Sequence, residues 1–157
     1  MKPTIYIETS VISYLLARTS LNAIIAARQE FTRQWWKRVL PNLHPFISPT
    51  VLDEIGLGDT HAAEERLAHV ASFPVLGLSP EIVELAKEYQ AKSQIPEKSR
   101  SDAFHLAFAS RHGMDYLVSW NMTHIVNARV RRTIEVINQA RGIRTPTICT
   151  PEELEEV

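Results

Sequence analysis

Short apolar runs alternate with helix-patterned segments along the whole chain, and this alternation most narrows the folds open to it. The runs are Ile5-Tyr6-Ile7, Phe46-Ile47-Ser48, Pro74 to Leu78, Tyr116-Leu117-Val118 and Thr147-Ile148-Cys149. Each is too short for a helix, and most are rich in β-branched or aromatic residues. Strands separated by helices imply a parallel sheet with right-handed crossovers, covered on both faces. The expected architecture is a three-layer α/β/α sandwich with a sheet of about five strands, built as one domain over residues 1–157.

Helical spacing and end signals predict helices at Ser10–Ala17, Ser20–Leu40, Thr60–Ala71, Glu81–Ala91, Asp102–Arg111 and His124–Ala140, with a short one from Pro49 closed by Gly56 and Gly58. The segment after Asp102 is apolar on most of its circumference, through Ala103, Phe104, Leu106, Ala107, Phe108 and Ala109. Such a helix belongs at the centre of a domain. Lys92 to Arg100, with Pro96 inside it, is the most polar stretch and the expected mobile loop.

A chain of 157 residues with 45% hydrophobic content supports one proper core. Its 17 basic and 18 acidic residues leave a net charge of -1, so a polyanion would have to be bound locally. The single cysteine, Cys149, forbids an internal disulfide, and the first residues lack a signal-peptide pattern. A cytoplasmic protein is expected. No apolar run approaches the roughly 18 residues that span a bilayer.

In a sheet wound this way, ligands gather at the carboxyl ends of the strands. Glu8 ends the first run, followed by Thr9 and Ser10; Glu54 lies on the helix after the second; Asp102 is in the first turn of the central helix; Asn121 follows the Tyr116 run. Each has a plain structural reading as well. Asp102 suits a helix N-terminus, Glu54 a solvated helix face, and Asn121 a turn. Gathered on one sheet edge, however, carboxylates are costly unless a cation compensates them. Oxygen ligands without thiolates or paired histidines suit Mg2+ or Mn2+ and phosphoryl-transfer chemistry. One or two such ions polarise a phosphodiester and lower the pKa of a bound water.

The segments Ile5 to Val11, Val51 to Ile55, Ser101 to Ala107 and Tyr116 to Asn121, in that order, resemble the successive acidic motifs of PIN-domain nucleases, in particular VapC-type toxins of toxin–antitoxin pairs. The resemblance covers essentially the whole chain. It implies an α/β/α sandwich, Mg2+- or Mn2+-dependent endonucleolytic cleavage of RNA, inhibition by a cognate antitoxin, and a homodimer. Carried over, Glu8, Glu54 and Asp102 are the acidic ligands, and Thr9 or Ser10 positions the metal-bound water or the first carboxylate. This chain has Glu8 where the family usually has aspartate, and Asn121 where a further aspartate is aligned. The less anionic cluster implies one firm metal site and a second filled only with substrate. The alternative is a catalytically weakened PIN fold that binds RNA or a partner.

Of the remaining polar residues, His105 lies one turn beyond Asp102 and reads as a satisfied core histidine or a phosphate contact. His124 follows Asn121 and is placed to support the site. Trp120 reads as packing or as a base-stacking platform. Lys98 and Arg100 lead into Asp102 and are the expected RNA-phosphate contacts, whereas Arg131 and Arg132 read as a solvated face paired with Glu135. Trp35 reads as core, and Tyr14, Leu15, Trp36 and Val39 as an apolar groove for a partner. A phosphorylation-controlled receiver domain fits poorly, because the third run ends in Gly77-Leu78-Ser79 without an acceptor aspartate.

Overall fold

The computed structural model describes residues 1–156. Its strands, β1 (Thr4–Ile7), β2 (His44–Phe46), β3 (Tyr116–Val118) and β4 (Thr147–Cys149), are all parallel and lie in the order β2-β1-β3-β4. Tyr6 stands opposite Phe46 on one side and Leu117 on the other, and Ile7 opposite Val118. The chain runs outward from β1 to β2, crosses back over β1 to β3, and runs outward again to β4. The winding reverses between β1 and β3, and the crevice beyond that reversal is where doubly wound sheets bind ligands.

Of the about five strands expected, the described residues form four and a fragment. The segment Pro74 to Leu78 makes one isolated parallel bridge, Val75 to Ile47. Its hydrogen bonds run from Ile47 N–H to the Pro74 carbonyl (3.1 Å) and from Leu76 N–H to the Ile47 carbonyl (2.8 Å). Pro74 has no N–H to offer, and Val75 and Leu78 are exposed, so the segment stays an edge fragment.

The helices are α1 (Thr9–Leu16), α2 (Ala23–Arg38), α3 (Pro49–Ile55), α4 (Thr60–Val70), α5 (Pro80–Lys92), α6 (Arg100–Arg111) and α7 (Ala128–Arg141). Together with the sheet they form the three-layer sandwich. Their starts are local: Asn22, Ser48, Asp59, Ser79 and Asn127 cap first-turn N–H groups with their side chains, and Pro49 and Pro80 follow their caps directly. Gly142 ends α7 in the left-handed region, at φ 69°. Two helices start three or more residues later than expected. Asn22 delays α2 to Ala23, and turns through residues 121–127 delay α7 to Ala128.

The central position of α6 is as expected: Ala103, Leu106, Ala107, Phe108 and Ala109 are all buried in the core. Truncating Leu106 to alanine there would cost about 2–5 kcal/mol. The polar stretch before it is not a free loop. The helix α5 continues to Lys92, Ser93 and Ile95 are buried, and residues 97–99 form a 3-10 turn that leads into α6. No helix among the described residues is long and apolar enough to cross a membrane.

Candidate metal centre

The site begins where β1 stops. Glu8 is extended (φ -80°, ψ 153°) and caps α1, its carboxylate accepting the Ser10 N–H at 3.2 Å. Two hydroxyls, Ser10 Oγ and Ser119 Oγ, each donate to Glu8 Oε1 at 2.5 Å. Both are themselves held by backbone N–H groups just beyond β3: Ser10 Oγ accepts the Trp120 N–H at 2.8 Å, and Ser119 Oγ accepts the Asn121 N–H at 2.9 Å. Only 4% of Glu8 is exposed, so this carboxylate is buried at the β1/β3 reversal by neutral donors.

The second carboxylate comes from the last turn of α3. Glu54 Oε1 accepts from Thr9 Oγ1 at 2.7 Å and meets His105 Nε2 at 2.5 Å, while Oε2 accepts from Ser101 Oγ at 3.2 Å. Burial raises the Glu54 carboxyl, but the hydrogen bonds with His105, Thr9 and Ser101 outweigh it and hold the group below its usual value. His105 has no exposed surface. Burial would lower its imidazole, yet the bond to Glu54 and the charges of Glu8, Glu54 and Asp102 hold it above the usual histidine value. Its Nδ1 meets the Tyr6 hydroxyl at 2.6 Å, and that hydroxyl meets Ser48 Oγ at 2.7 Å. Burial pushes the Tyr6 phenol well above its usual value, which keeps it neutral.

Glu8, Glu54 and His105 each offer a ligand atom within 4.8 Å of the others. Asp102, in the first turn of α6, stands outside that group and pairs instead with His124, Oδ2 to Nδ1 at 2.8 Å. Among the described residues, the only ion-pair partners of Glu8, Glu54 and Asp102 are these two histidines; no lysine or arginine reaches them. Glu8, Glu54 and His105, with no lysine or arginine paired to either carboxylate, are a donor set that could hold a divalent ion, and the Asp102–His124 pair lies outside it. Asp102 Oδ1 receives no hydrogen bond from the described residues.

Asn121 serves as a brace. Its side-chain oxygen accepts the N–H groups of Thr123 (3.2 Å) and His124 (3.0 Å), which fixes the turn that carries His124 to Asp102. Trp120 is packing: it is buried, stacks on Tyr14 (5.9 Å between ring centroids) and donates to Thr32 Oγ1 at 2.8 Å. Lys98 is exposed, and Arg100 is exposed and paired with Glu97 at 3.2 Å. Arg131 pairs with Glu153 (3.9 Å) rather than Glu135. Trp35 is core, as expected. The groove through Tyr14, Leu15, Trp36 and Val39 does not open, because Val39 is buried and Tyr14 lies against Trp120; the exposed apolar residues in this region are Leu21 and Ile24.

Sequence reading missed Ser119, Ser101 and Tyr6 as members of the cluster. Ser119 carried a usable signal, since it leaves β3 in the same manner as Glu8 leaves β1. Tyr6 carried none, because alternation along a strand buried on both faces does not say which face holds polar partners.

The PIN domain family profile matches residues 5–121. Among curated proteins, nothing matches the sequence. The crystal structure of VapC20 from Mycobacterium tuberculosis, a toxin that cleaves the sarcin-ricin loop, superimposes with a TM-score of 0.56 at 22% identity, covering 73% of this chain and 87% of that one. The structure of VapBC2 from Rickettsia felis, bound to a DNA fragment from their promoter, superimposes with a TM-score of 0.58 at 12% identity, over 94% of this chain and 98% of that one. At such identities the likeness is one of fold.

Proposed function

This chain belongs to the PIN domain family, and from that premise we propose that it is a metal-dependent endoribonuclease acting as the toxin of a toxin–antitoxin pair. The observation that carries the reading is the pair of carboxylates Glu8 and Glu54, brought together at the sheet's reversal and left without a lysine or arginine. Glu8, Glu54 and Asp102 would hold Mg2+ or Mn2+, which when bound supplies charge to the phosphodiester and lowers the pKa of a water.

The chain's own groups do the orienting. Ser10 and Ser119 fix the Glu8 carboxylate from two strand ends, Thr9 and Ser101 fix Glu54 from two helix starts, and Asn121 holds His124 against Asp102. With a net charge of -1, RNA is held locally, and Lys98 and Arg100 on the approach to α6 are the groups for its phosphates. Exchanging both for alanine is expected to weaken RNA affinity at low salt, and unchanged affinity excludes that role.

The deciding experiment is Mn2+-dependent cleavage of a generic RNA by the unsubstituted chain and by Asp102→Asn. Cleavage that stops in chelator and in the folded variant supports the assignment; equal cleavage by both defeats it. Asn121 carries no charge and its oxygen is committed to the turn, so one Mn2+ is expected to bind the free protein in calorimetry. Two tight ions would contradict that. The same feature favours the second reading, a weakened PIN fold that binds RNA or a partner, and cleavage by the unsubstituted chain decides between them. A homodimer, a cognate antitoxin and a cytoplasmic location complete the proposal. The Rickettsia felis structure is of VapBC2 on promoter DNA, and on this chain Leu21 and Ile24 offer exposed apolar surface for a partner.

A further inference from the structure

A chain of four polar side chains, three of them fully buried, crosses the core behind the site. It runs from Ser48, the N-cap of α3, to the Tyr6 hydroxyl (2.7 Å), to His105 Nδ1 (2.6 Å), and from His105 Nε2 to Glu54 Oε1 (2.5 Å) in the last turn of the same helix. Ser48, Tyr6 and His105 have no exposed surface. We propose that His105, fixed from behind by Tyr6 and Ser48, is the positioning residue of the site, setting the orientation of the Glu54 carboxylate and its separation from Glu8.

The need for such a residue follows from Glu54 itself. Its side chain is 30% exposed at the end of a short helix, so it does not need the histidine for solvation. Its other donors, Thr9 Oγ1 and Ser101 Oγ, are rotatable hydroxyls. An imidazole packed on all sides is a rigid donor by comparison, and its ring cannot turn without breaking its bond to Tyr6, against which it also packs edge to face at 5.7 Å. A buried polar chain is costly unless every member is satisfied, and a hydrophobic trio would fill the same volume more cheaply. Here both imidazole nitrogens, the phenol and the serine all have partners.

The chain also holds its geometry with either hydrogen-bond direction. Ser48 can donate to Tyr6 and Tyr6 to Nδ1, or Nδ1–H can donate to Tyr6 and Tyr6 to Ser48; with the first direction in the neutral ring and the second in the imidazolium, Nε2–H points to Glu54 in both. His105 Nε2 lies 3.9 Å from Glu8 Oε2 as well, so the donor edge of the ring stands between the two carboxylates. Because Nε2 is already engaged by Glu54, His105 acts through that carboxylate. Groups that orient a metal ligand in this way typically alter metal affinity by about 10- to 100-fold when removed.

The test rests on the reading of Glu54 as a metal ligand and measures Mn2+ affinity of the full chain, by calorimetry without RNA, together with thermal unfolding. His105→Leu removes the donor at similar bulk and is expected to weaken Mn2+ binding about 10- to 100-fold. His105→Gln, whose amide N–H reaches the place of Nε2, is expected to restore most of that loss. Tyr6→Phe keeps the ring in the core, frees the imidazole to turn, and is expected to weaken binding to an intermediate degree. A purely structural role would lower the melting temperature of these variants while leaving Mn2+ affinity unchanged below it, and that result overturns the proposal. Should His105→Leu fail to fold, Tyr6→Phe decides it by the same measure. Absence of Mn2+ binding by the unsubstituted chain overturns the metal reading and this proposal together; normal binding by it with unchanged affinity in His105→Leu and Tyr6→Phe overturns this proposal alone.

Discussion

Two carboxylates close opposite ends of the β1–β3 pair, and they are treated in opposite ways. At the amino ends, Asp115 Oδ2 accepts the Thr4 N–H at 2.8 Å and the Thr4 hydroxyl at 3.1 Å, while Arg144 pairs with Oδ1 at 3.1 Å. At the carboxyl ends, Glu8 also accepts one backbone N–H and hydroxyl protons, but it is buried and no guanidinium or ammonium reaches it. The donors are alike and the compensation differs. Asp115 is a staple completed by a guanidinium within the chain; Glu8 has no lysine or arginine beside it, and His105 Nε2 at 3.9 Å is its ion-pair partner among the described residues.

That contrast can be broken at several points. The largest effect is expected from Glu8→Gln: on the proposed function it should lower Mn2+-dependent RNA cleavage on the order of 100-fold or more, since a metal ligand would be worth several kcal/mol in the transition state. The same change removes a buried carboxylate that no lysine or arginine pairs with, so the melting temperature of the metal-free protein should hold or rise. A fall in both quantities would make Glu8 a staple like Asp115.

The reverse pattern is expected of Asp115→Ala. It should cost about 1–2 kcal/mol of stability by stranding the Thr4 N–H and leave cleavage unchanged, with urea unfolding and a cleavage assay run on the same preparation. Smaller still is the pH effect. The Thr4 N–H, followed by Arg144 and the Thr4 hydroxyl, holds the Asp115 carboxyl below its usual value. A depressed carboxyl contributes stability above its unfolded value, about 3.9, and loses it as pH falls through the lower folded value. The gap between the unsubstituted chain and Asp115→Asn in urea midpoint should therefore be full at pH 6 and close toward pH 3. Arg144→Ala is expected to give the smallest change, under about 1 kcal/mol and reduced by salt, because the pair is exposed.

Much of the fold was legible because it is written locally. The strand runs at residues 5–7, 116–118 and 147–149 and the central helix after Asp102 announce themselves by the period of their apolar residues. Pro74 to Leu78 misled because an apolar run beside a proline reads alike in an edge fragment and in a strand, and the difference lies in whether a neighbour supplies hydrogen bonds. The polar stretch Lys92 to Arg100 misled for a related reason. Its composition speaks of solvent, yet Ser93 and Ile95 are drawn into the core by helices on either side.

The site was legible to a lesser depth. Glu8, Glu54 and Asp102 were visible as acids at strand and helix ends, and the structure places Glu8 and Glu54 together with His105 while pairing Asp102 with His124. The sequence by itself determined the alternation of elements, the end of β1 at a carboxylate and the burial of α6, since each depends on residues within a turn or a pleat of one another. Only the tertiary structure decided the order β2-β1-β3-β4, and with it the meeting of Glu8 with Ser119, 111 residues away, and of Tyr6 with His105, 99 residues away. Strand order is a choice among whole-chain packings, and the partners of a buried polar atom are known only once that choice is made.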